Sequence, residues 1–286
     1  MFPPLEDTVN ITLNNNEEIP ALGLGTWRAR QDDVYKAVLK ALDVGYRHVD
    51  TAVVYGNEEE VGRGISDSSV ARDEVFLTTK LWNTMHTKED AAGQIDECLA
   101  RLRTDYLDLV LIHWPGSYER NAAVWSAMEA AVDAGKIKSI GVSNFNIHHI
   151  HALAENARIQ PAVNQMECHI SLQNTRLQEY LDSKGMVLEA YAPFKSDRIK
   201  DVLDNRTLKE IGSAYGKTPT QIVLRWLLQR GVVPLPKSVT PSRIEENLQV
   251  FDFALTDDDM LAIRKLNKGE RTFPEPDNVD FGFVHL

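Results

Sequence analysis

From residue 22 onward, apolar runs of strand length alternate with amphipathic stretches of helix length, and the alternation repeats eight times along the 286-residue chain. That pattern restricts the fold sharply, because parallel strands cannot be joined by tight turns and each connection needs a crossover, usually a helix. The runs at 22–25, 48–50, 75–79, 107–113, 137–141, 162–165, 187–191 and 232–236 read as the strands. Apolar residues return every three or four positions in 32–44, 91–102, 122–134, 172–183 and 220–229, the periodicity of helices with one buried face. Gly45, Gly135 and Gly185 close three of these patterns just before a strand, where a left-handed residue ends a helix at least steric cost. Thr218 followed by Pro219 marks an N-cap and first turn, for a helix running to about Arg230.

Eight such units fit the size of a (β/α)8 TIM barrel, which typically takes about 250 residues. No linker, low-complexity tract or short repeat divides the chain, so residues 1–286 read as a single domain. Ahead of the barrel, 9–13 and 17–19 flank the turn signal Asn14-Asn15-Asn16 and read as a hairpin, expected to plug the lower end. Beyond the eighth strand, 242–248 and 257–266 read as extra helical segments, and a tail rich in Pro, Gly and Asp, 268–286, is expected to fold over the barrel mouth. A doubly wound sheet shares the alternation. Its nucleotide-binding fingerprint is GxGxxG after the first strand, however, and Gly23-Leu24-Gly25-Thr26-Trp27-Arg28 lacks the third glycine.

Composition excludes several classes of function. A net charge of -11 disfavours nonspecific nucleic-acid binding, which relies on clustered cations, so any anion site must be local. Cys98 and Cys168 lack CxxC spacing and imply neither a disulfide framework nor a zinc site; no metal is expected. No apolar stretch reaches the ~20 residues that span a bilayer. The first 18 residues lack a basic start and apolar core, so a cytoplasmic protein with no membrane partner is expected.

Barrel chemistry gathers at the C-terminal ends of the strands. Asp50, Lys80 and His113 fall at or just beyond the ends of the second, third and fourth strands, with Tyr55 on the loop after the second. Such a set suits proton donation to a carbonyl oxygen. A phenol of ordinary pKa about 10 is a poor acid near neutrality unless its anion is stabilised, and a lysine ammonium held by a carboxylate supplies that stabilisation. A neutral imidazole can then hydrogen-bond the same oxygen. Read singly, each residue also has a structural explanation: Lys80 and Asp50 as an ion pair, His113 packed beside Trp114, Tyr55 as a loop aromatic. Trp27, Trp82 and Trp114 follow three strands, where they form either an apolar substrate wall or packing beneath loops.

With these motifs in view, the sequence resembles the aldo-keto reductase family from the hairpin through Asn247. Gly45-Tyr46-Arg47-His48-Val49-Asp50-Thr51-Ala52, with Tyr55 and Asn57-Glu58 after it, is similar to the family's first signature; Lys80-Leu81-Trp82 and His113-Trp114-Pro115 resemble the segments holding two more catalytic residues. The resemblance implies a barrel enzyme that moves hydride from NADPH to an aldehyde or ketone, with Tyr55 as general acid. Leu235-Pro236-Lys237-Ser238-Val239-Thr240-Pro241-Ser242-Arg243-Ile244-Glu245-Glu246-Asn247 resembles the family's second signature and follows the eighth strand, where barrels often bind phosphate.

By that likeness Lys237, Ser238 and Arg243 meet the adenosine 2′-phosphate, with Val239 and Thr240 beside them, and Glu246 and Asn247 meet the adenine. Ser143, Asn144 and Gln165 bind the nicotinamide amide, Tyr191 stacks on the ring, and Gly25, Thr26 and Pro193 complete the cofactor set. Two departures stand out: Ala192-Pro193 where many relatives carry Ser-Pro, and His169-Ile170 where many carry His-Pro. Both are expected to alter local geometry and leave the four catalytic positions intact. The short charged segment 194–205 implies an open mouth, as in bacterial members that reduce small aldehydes, dicarbonyls or keto-sugars such as diketogluconate. The partner expected is thus a small-molecule carbonyl, the state a monomer. The alternative is a cofactor-binding regulatory protein on the same fold.

Overall fold

The computed structural model describes residues 10–279. Strands β1 (Asn10–Thr12) and β2 (Glu18–Pro20) pair antiparallel as the expected hairpin; Val9, placed in its first arm by the sequence, lies outside the described residues. The barrel begins with β3 (Leu24–Gly25), α1 (Gln31–Val44), β4 (His48–Asp50), α2 (Glu58–Ser66), β5 (Phe76–Leu81) and α3 (Lys88–Leu102). It continues through β6 (Leu107–Ile112), α4 (Tyr118–Asp133), β7 (Ile137–Ser143), α5 (Ile147–Ala154), β8 (Val163–Glu167), α6 (Thr175–Ser183) and β9 (Val187–Tyr191). Short α7 (Lys200–Leu203) and α8 (Arg206–Tyr215) precede α9 (Pro219–Gln229), β10 (Val233–Leu235), α10 (Pro241–Leu248) and α11 (Asp257–Arg264).

Strands β3 to β10 lie side by side in sequence order, each parallel to the next. The two ends of this sheet meet: Gly23 N donates to Pro234 O and Gly25 N to Pro236 O, both at 3.1 Å, which closes a (β/α)8 TIM barrel. Glycine is required at this seam. A Cβ on Gly23 would lie 2.6 Å from Leu235 Cδ2 and 2.7 Å from His48 Nδ1, closer than real side chains approach.

Period-two alternation divides the core. On β6, Leu109 and Leu111 point into the barrel while Val110 and Ile112 face the helices. The inner cluster also holds Phe76, Val163, Val233 and Leu235, and Leu13 and Ile19 of the hairpin pack against it from below. Asn14 Nδ2 bonds Pro161 O and Asn15 Nδ2 bonds Lys138 O, fixing the hairpin turn to the strand bottoms. The hairpin is therefore the plug the sequence implied.

Local chemistry moves some boundaries. Helix α3 starts before residue 91 because Thr87 Oγ1 caps the Asp90 amide, and α4 starts at Tyr118 because Ser117 caps Arg120. The helix expected from 172 begins only at Thr175: His169 and Leu172 exchange backbone bonds in a tight turn and Asn174 is left-handed. Helix α11 ends at Arg264, and the chain beyond returns to the barrel, with Lys268 N and Glu270 N both donating to Ser171 O. Residues 280–286 of the expected tail lie outside the described residues. No helix among the described residues is long and apolar enough to cross a membrane.

Candidate active site

Strand β4 delivers Asp50 to the C-terminal rim, and the chain then makes one 3-10 turn, Val53–Tyr55, that ends at left-handed Gly56 and carries Tyr55 back over the barrel. Asn57 anchors this excursion: its Oδ1 accepts from Thr51 Oγ1 and its Nδ2 donates to Thr26 O and Ala29 O. Lys80, inside β5 and fully buried, donates to Asp50 Oδ1 at 2.6 Å, Thr51 O at 2.8 Å and Tyr55 Oη at 3.4 Å. Its ammonium also lies 5.0 Å from the Tyr55 ring centroid. His113, just past β6, sets its ring edge-on to Tyr55 at 5.7 Å and to Trp82 at 5.2 Å. The four residues thus form one contiguous group.

Burial dominates the protonation of this group. It raises Tyr55 well above the ordinary phenol range, and Asp50's charge adds to the rise, so the phenol is held protonated. Burial, then Lys80, pushes His113 well below the usual imidazole range, leaving it neutral. Burial also raises Asp50, with Lys80 and Gln165 opposing.

Beneath the rim lies a polar floor that the sequence did not reveal. Gln165 Nε2 donates to Asp50 Oδ2 at 2.8 Å and to Glu189 Oε2 at 2.9 Å, and His48 Nε2 meets Thr78 Oγ1 at 3.0 Å. Glu189 and His48 are fully buried.

Above the floor opens a cavity of about 600 Å³, lined by Asp50, Tyr55 and His113 of the group and by Gly25, Thr26, Ser143, Asn144, Gln165, Tyr191, Pro193 and Lys237, with Lys80 buried beneath them. Tyr191 Oη donates to Asn144 Oδ1 at 2.8 Å, and left-handed Asn144 donates to His113 O and Ser143 Oγ. Ser143 and Asn144 therefore brace the site, while Asn146 occupies the N-cap position of α5. Ala192 adopts φ 49°, a costly conformation for alanine that is common where function fixes the backbone. Ile170 is buried, and the adjacent His169 bonds Glu167 Oε1 at 3.0 Å and accepts from the Ser171 and Leu172 amides.

The cavity's Lys237 end leads to the exposed N-terminus of α10. Its amides have no side-chain cap, and Ser238 Oγ accepts from Thr240 N. Val239, Thr240 and Arg243 are exposed there. Glu246 accepts from Thr218 Oγ1, and Asn247 is buried. Partial burial and the neighbouring charge of Arg28 lower the Lys237 ammonium. Two cations, uncapped amides and a long cleft fit a phosphate-bearing ligand that extends into the barrel mouth.

Trp27, Trp82 and Trp114 all line the cavity, Trp114 being the most buried. Two further wall elements escaped the sequence pattern. Phe273, from the tail, packs edge-on to Trp27 and Tyr191, each at 5.3 Å, and the Thr272 and Phe273 amides are pinned by buried Glu167. Arg28 and Asp197 pair at 2.9 Å between two loops of the cavity wall, so the segment expected to leave the mouth open contributes a bridge instead. Neither carries a local signal, since each depends on partners far apart in sequence.

Among the described residues, His148, His149 and Asp277 are the one set of three or more His, Cys or carboxylate side chains with potential ligand atoms all within 4.8 Å of one another. His149 Nδ1 accepts from the Asn146 amide at 3.1 Å, which puts its ring proton on Nε2, facing Asp277 Oδ1 at 3.3 Å. The three side chains thus set two imidazoles against one carboxylate.

Comparison with known proteins agrees with this architecture. The chain is 44% identical to a glyoxal reductase of Bacillus subtilis (strain 168) over 278 residues, covering 97% of this chain and 99% of that protein. The crystal structure of MGS-M4, an aldo-keto reductase from a Medee basin deep-sea metagenome library, superposes with a TM-score of 0.93 at 50% identity, covering 94% of this chain and 99% of the other. A Bombyx mori aldo-keto reductase in complex with NADP gives 0.88 at 37% identity, covering 96% and 97%. The sequence model of the Aldo/keto reductase family matches residues 21–268, and the chain belongs to that family.

Proposed function

We propose that this chain is an NADPH-dependent reductase of small aldehydes, ketones and dicarbonyls, with Tyr55 as the proton donor. The observation that carries this reading is the Lys80 ammonium, which touches both Asp50 and the Tyr55 hydroxyl. When bound, NADPH supplies hydride to the carbonyl carbon. Tyr55, held protonated by burial, donates its proton to the carbonyl oxygen. Lys80 stabilises the phenolate that results, and Asp50 keeps Lys80 charged and oriented. Neutral His113 directs the oxygen toward Tyr55.

Lys237, Ser238 and Arg243 would hold the 2′-phosphate, with Val239 and Thr240 beside them, and Glu246 and Asn247 the adenine. Ser143, Asn144, Gln165 and Tyr191 would hold the nicotinamide, with Gly25, Thr26 and Pro193 completing the cleft. Trp27, Trp82, Trp114 and Phe273 form the apolar wall that suits a small carbonyl compound. The glyoxal reductase relative supports the dicarbonyl class. We also propose that residues 1–286 act as one barrel unit and as a monomer.

The test is purified protein mixed with NADPH and a panel of aldehydes, ketones, dicarbonyls and keto-sugars, with cofactor absorbance followed over time. Oxidation with at least one small dicarbonyl is expected. NADPH binding without turnover on any carbonyl would favour the cofactor-binding regulatory alternative.

A further inference from the structure

One buried carboxyl group has no part in the chemistry above. Glu189, on β9, is the register partner of Gln165 on β8 and of Val233 on β10. Its Oε2 accepts from Gln165 at 2.9 Å, while its Oε1 has no hydrogen-bond partner among the described residues. The titratable groups around it are His48, with Nε2 at 3.7 Å, Asp50, which shares Gln165 with it, and Lys80 across the barrel. None supplies it with a cation. Lys80 directs its ammonium at Asp50, Thr51 O and Tyr55, and burial lowers His48 to about 3, keeping it neutral. An ionised, unpaired carboxylate here would be severely penalised. Burial first, then the charge of Asp50, accordingly raises Glu189 to about 8, so it carries its proton at neutral pH.

The consequence falls on Gln165. Its amide nitrogen has two hydrogens, and both are committed, one to Asp50 Oδ2 and one to Glu189 Oε2. Its carbonyl Oε1 makes no hydrogen bond among the described residues, and Gln165 lines the cavity. Turning the amide over would set Oε1 against the Asp50 carboxylate, so the two carboxyl groups together decide which end a ligand meets.

We propose that Glu189 is a positioning residue that, with Asp50, locks the Gln165 amide with its carbonyl oxygen toward the cofactor, so that the site selects a nicotinamide bearing a hydrogen-bond donor, the carboxamide NH2. The proposal rests on the NADPH reading.

Its test compares dissociation constants, read from tryptophan fluorescence, for NADPH and for reduced 3-acetylpyridine adenine dinucleotide phosphate, whose methyl ketone keeps the acceptor and lacks the donor. The wild type is expected to prefer NADPH by about tenfold, the order of one hydrogen bond. Glu189→Gln, which still offers an acceptor to Gln165, keeps that preference. Glu189→Met, of similar volume, binds both cofactors with a preference of about twofold or less, because one of the two restraints on the amide is gone. Glu189→Thr, a strand former too short to reach the amide, carries the same comparison if the methionine variant does not fold. A Met or Thr variant that discriminates as the wild type does overturns the role of Glu189. A wild type that binds neither cofactor overturns the NADPH reading instead.

Discussion

Lys80 has no exposed surface and neutralises a carboxylate that is itself nearly inaccessible. Removing one partner of such a pair leaves the other charged in an apolar surrounding, which typically costs ~3–5 kcal/mol. Lys80→Met is therefore expected to lower the unfolding free energy read from urea titration by that order, and Lys80→Met combined with Asp50→Asn to recover part of the loss; additive losses would show that the two residues are not coupled. Glu189 gives a second residue-level expectation with a definite sign. Its pKa rises from an ordinary 4.5 to about 8 in the folded protein. Between those values the unfolded chain has released a proton that the native state keeps, so wild-type stability falls as pH rises, by up to ~1.4 kcal/mol per unit, and levels off above about 8. Glu189→Gln lacks this slope, and urea titrations of both proteins at pH 5 to 9 without cofactor should diverge accordingly. Parallel curves would mean that Glu189 is ionised throughout.

At the scale of elements, α2 approaches α3 so closely that Gly62 has no room for a methyl: a Cβ there would sit 2.6 Å from Leu102 O and C. Because the obstacle is backbone, Gly62→Ala should destabilise by at least ~1–3 kcal/mol despite alanine's better helix propensity, as thermal melts would register. A neutral effect would mean that the two helices separate freely. This glycine also explains why α2 was hard to read: Glu58-Glu59-Glu60 followed by Gly62 and Gly64 leaves Val61 and Ile65 as the only large apolar residues of the helix. Strands β4, β6 and β9 were legible almost to the residue, because buried runs bounded by helix ends leave little freedom. Strand β3 keeps only two residues, since Gly23 serves the seam. The Asp50, Tyr55, Lys80 and His113 group was legible because each member follows from a strand end. Glu189, Phe273 and the Arg28–Asp197 pair were not, since their partners lie elsewhere in the chain and no local pattern encodes such meetings.

For the whole molecule, an acidic chain of net charge -11 concentrates cations where the proposed cofactor's phosphate would lie, at Lys237 and Arg243 beside the N-terminus of α10. Arg243→Ala should weaken NADPH binding about tenfold or more and leave NADH nearly unchanged, because only the former offers a charged partner; equal losses would remove the 2′-phosphate assignment. The barrel sets this anion end, the aromatic wall and the Asp50–Lys80–Tyr55 chain around one cavity, and the central claim is that the last of these delivers the proton. The most direct measurement is NADPH affinity and kcat for a small dicarbonyl in Tyr55→Phe against the wild type. Affinity within about twofold and a kcat lower by ~10²-fold or more are expected for loss of a general acid; an unchanged kcat would contradict the account.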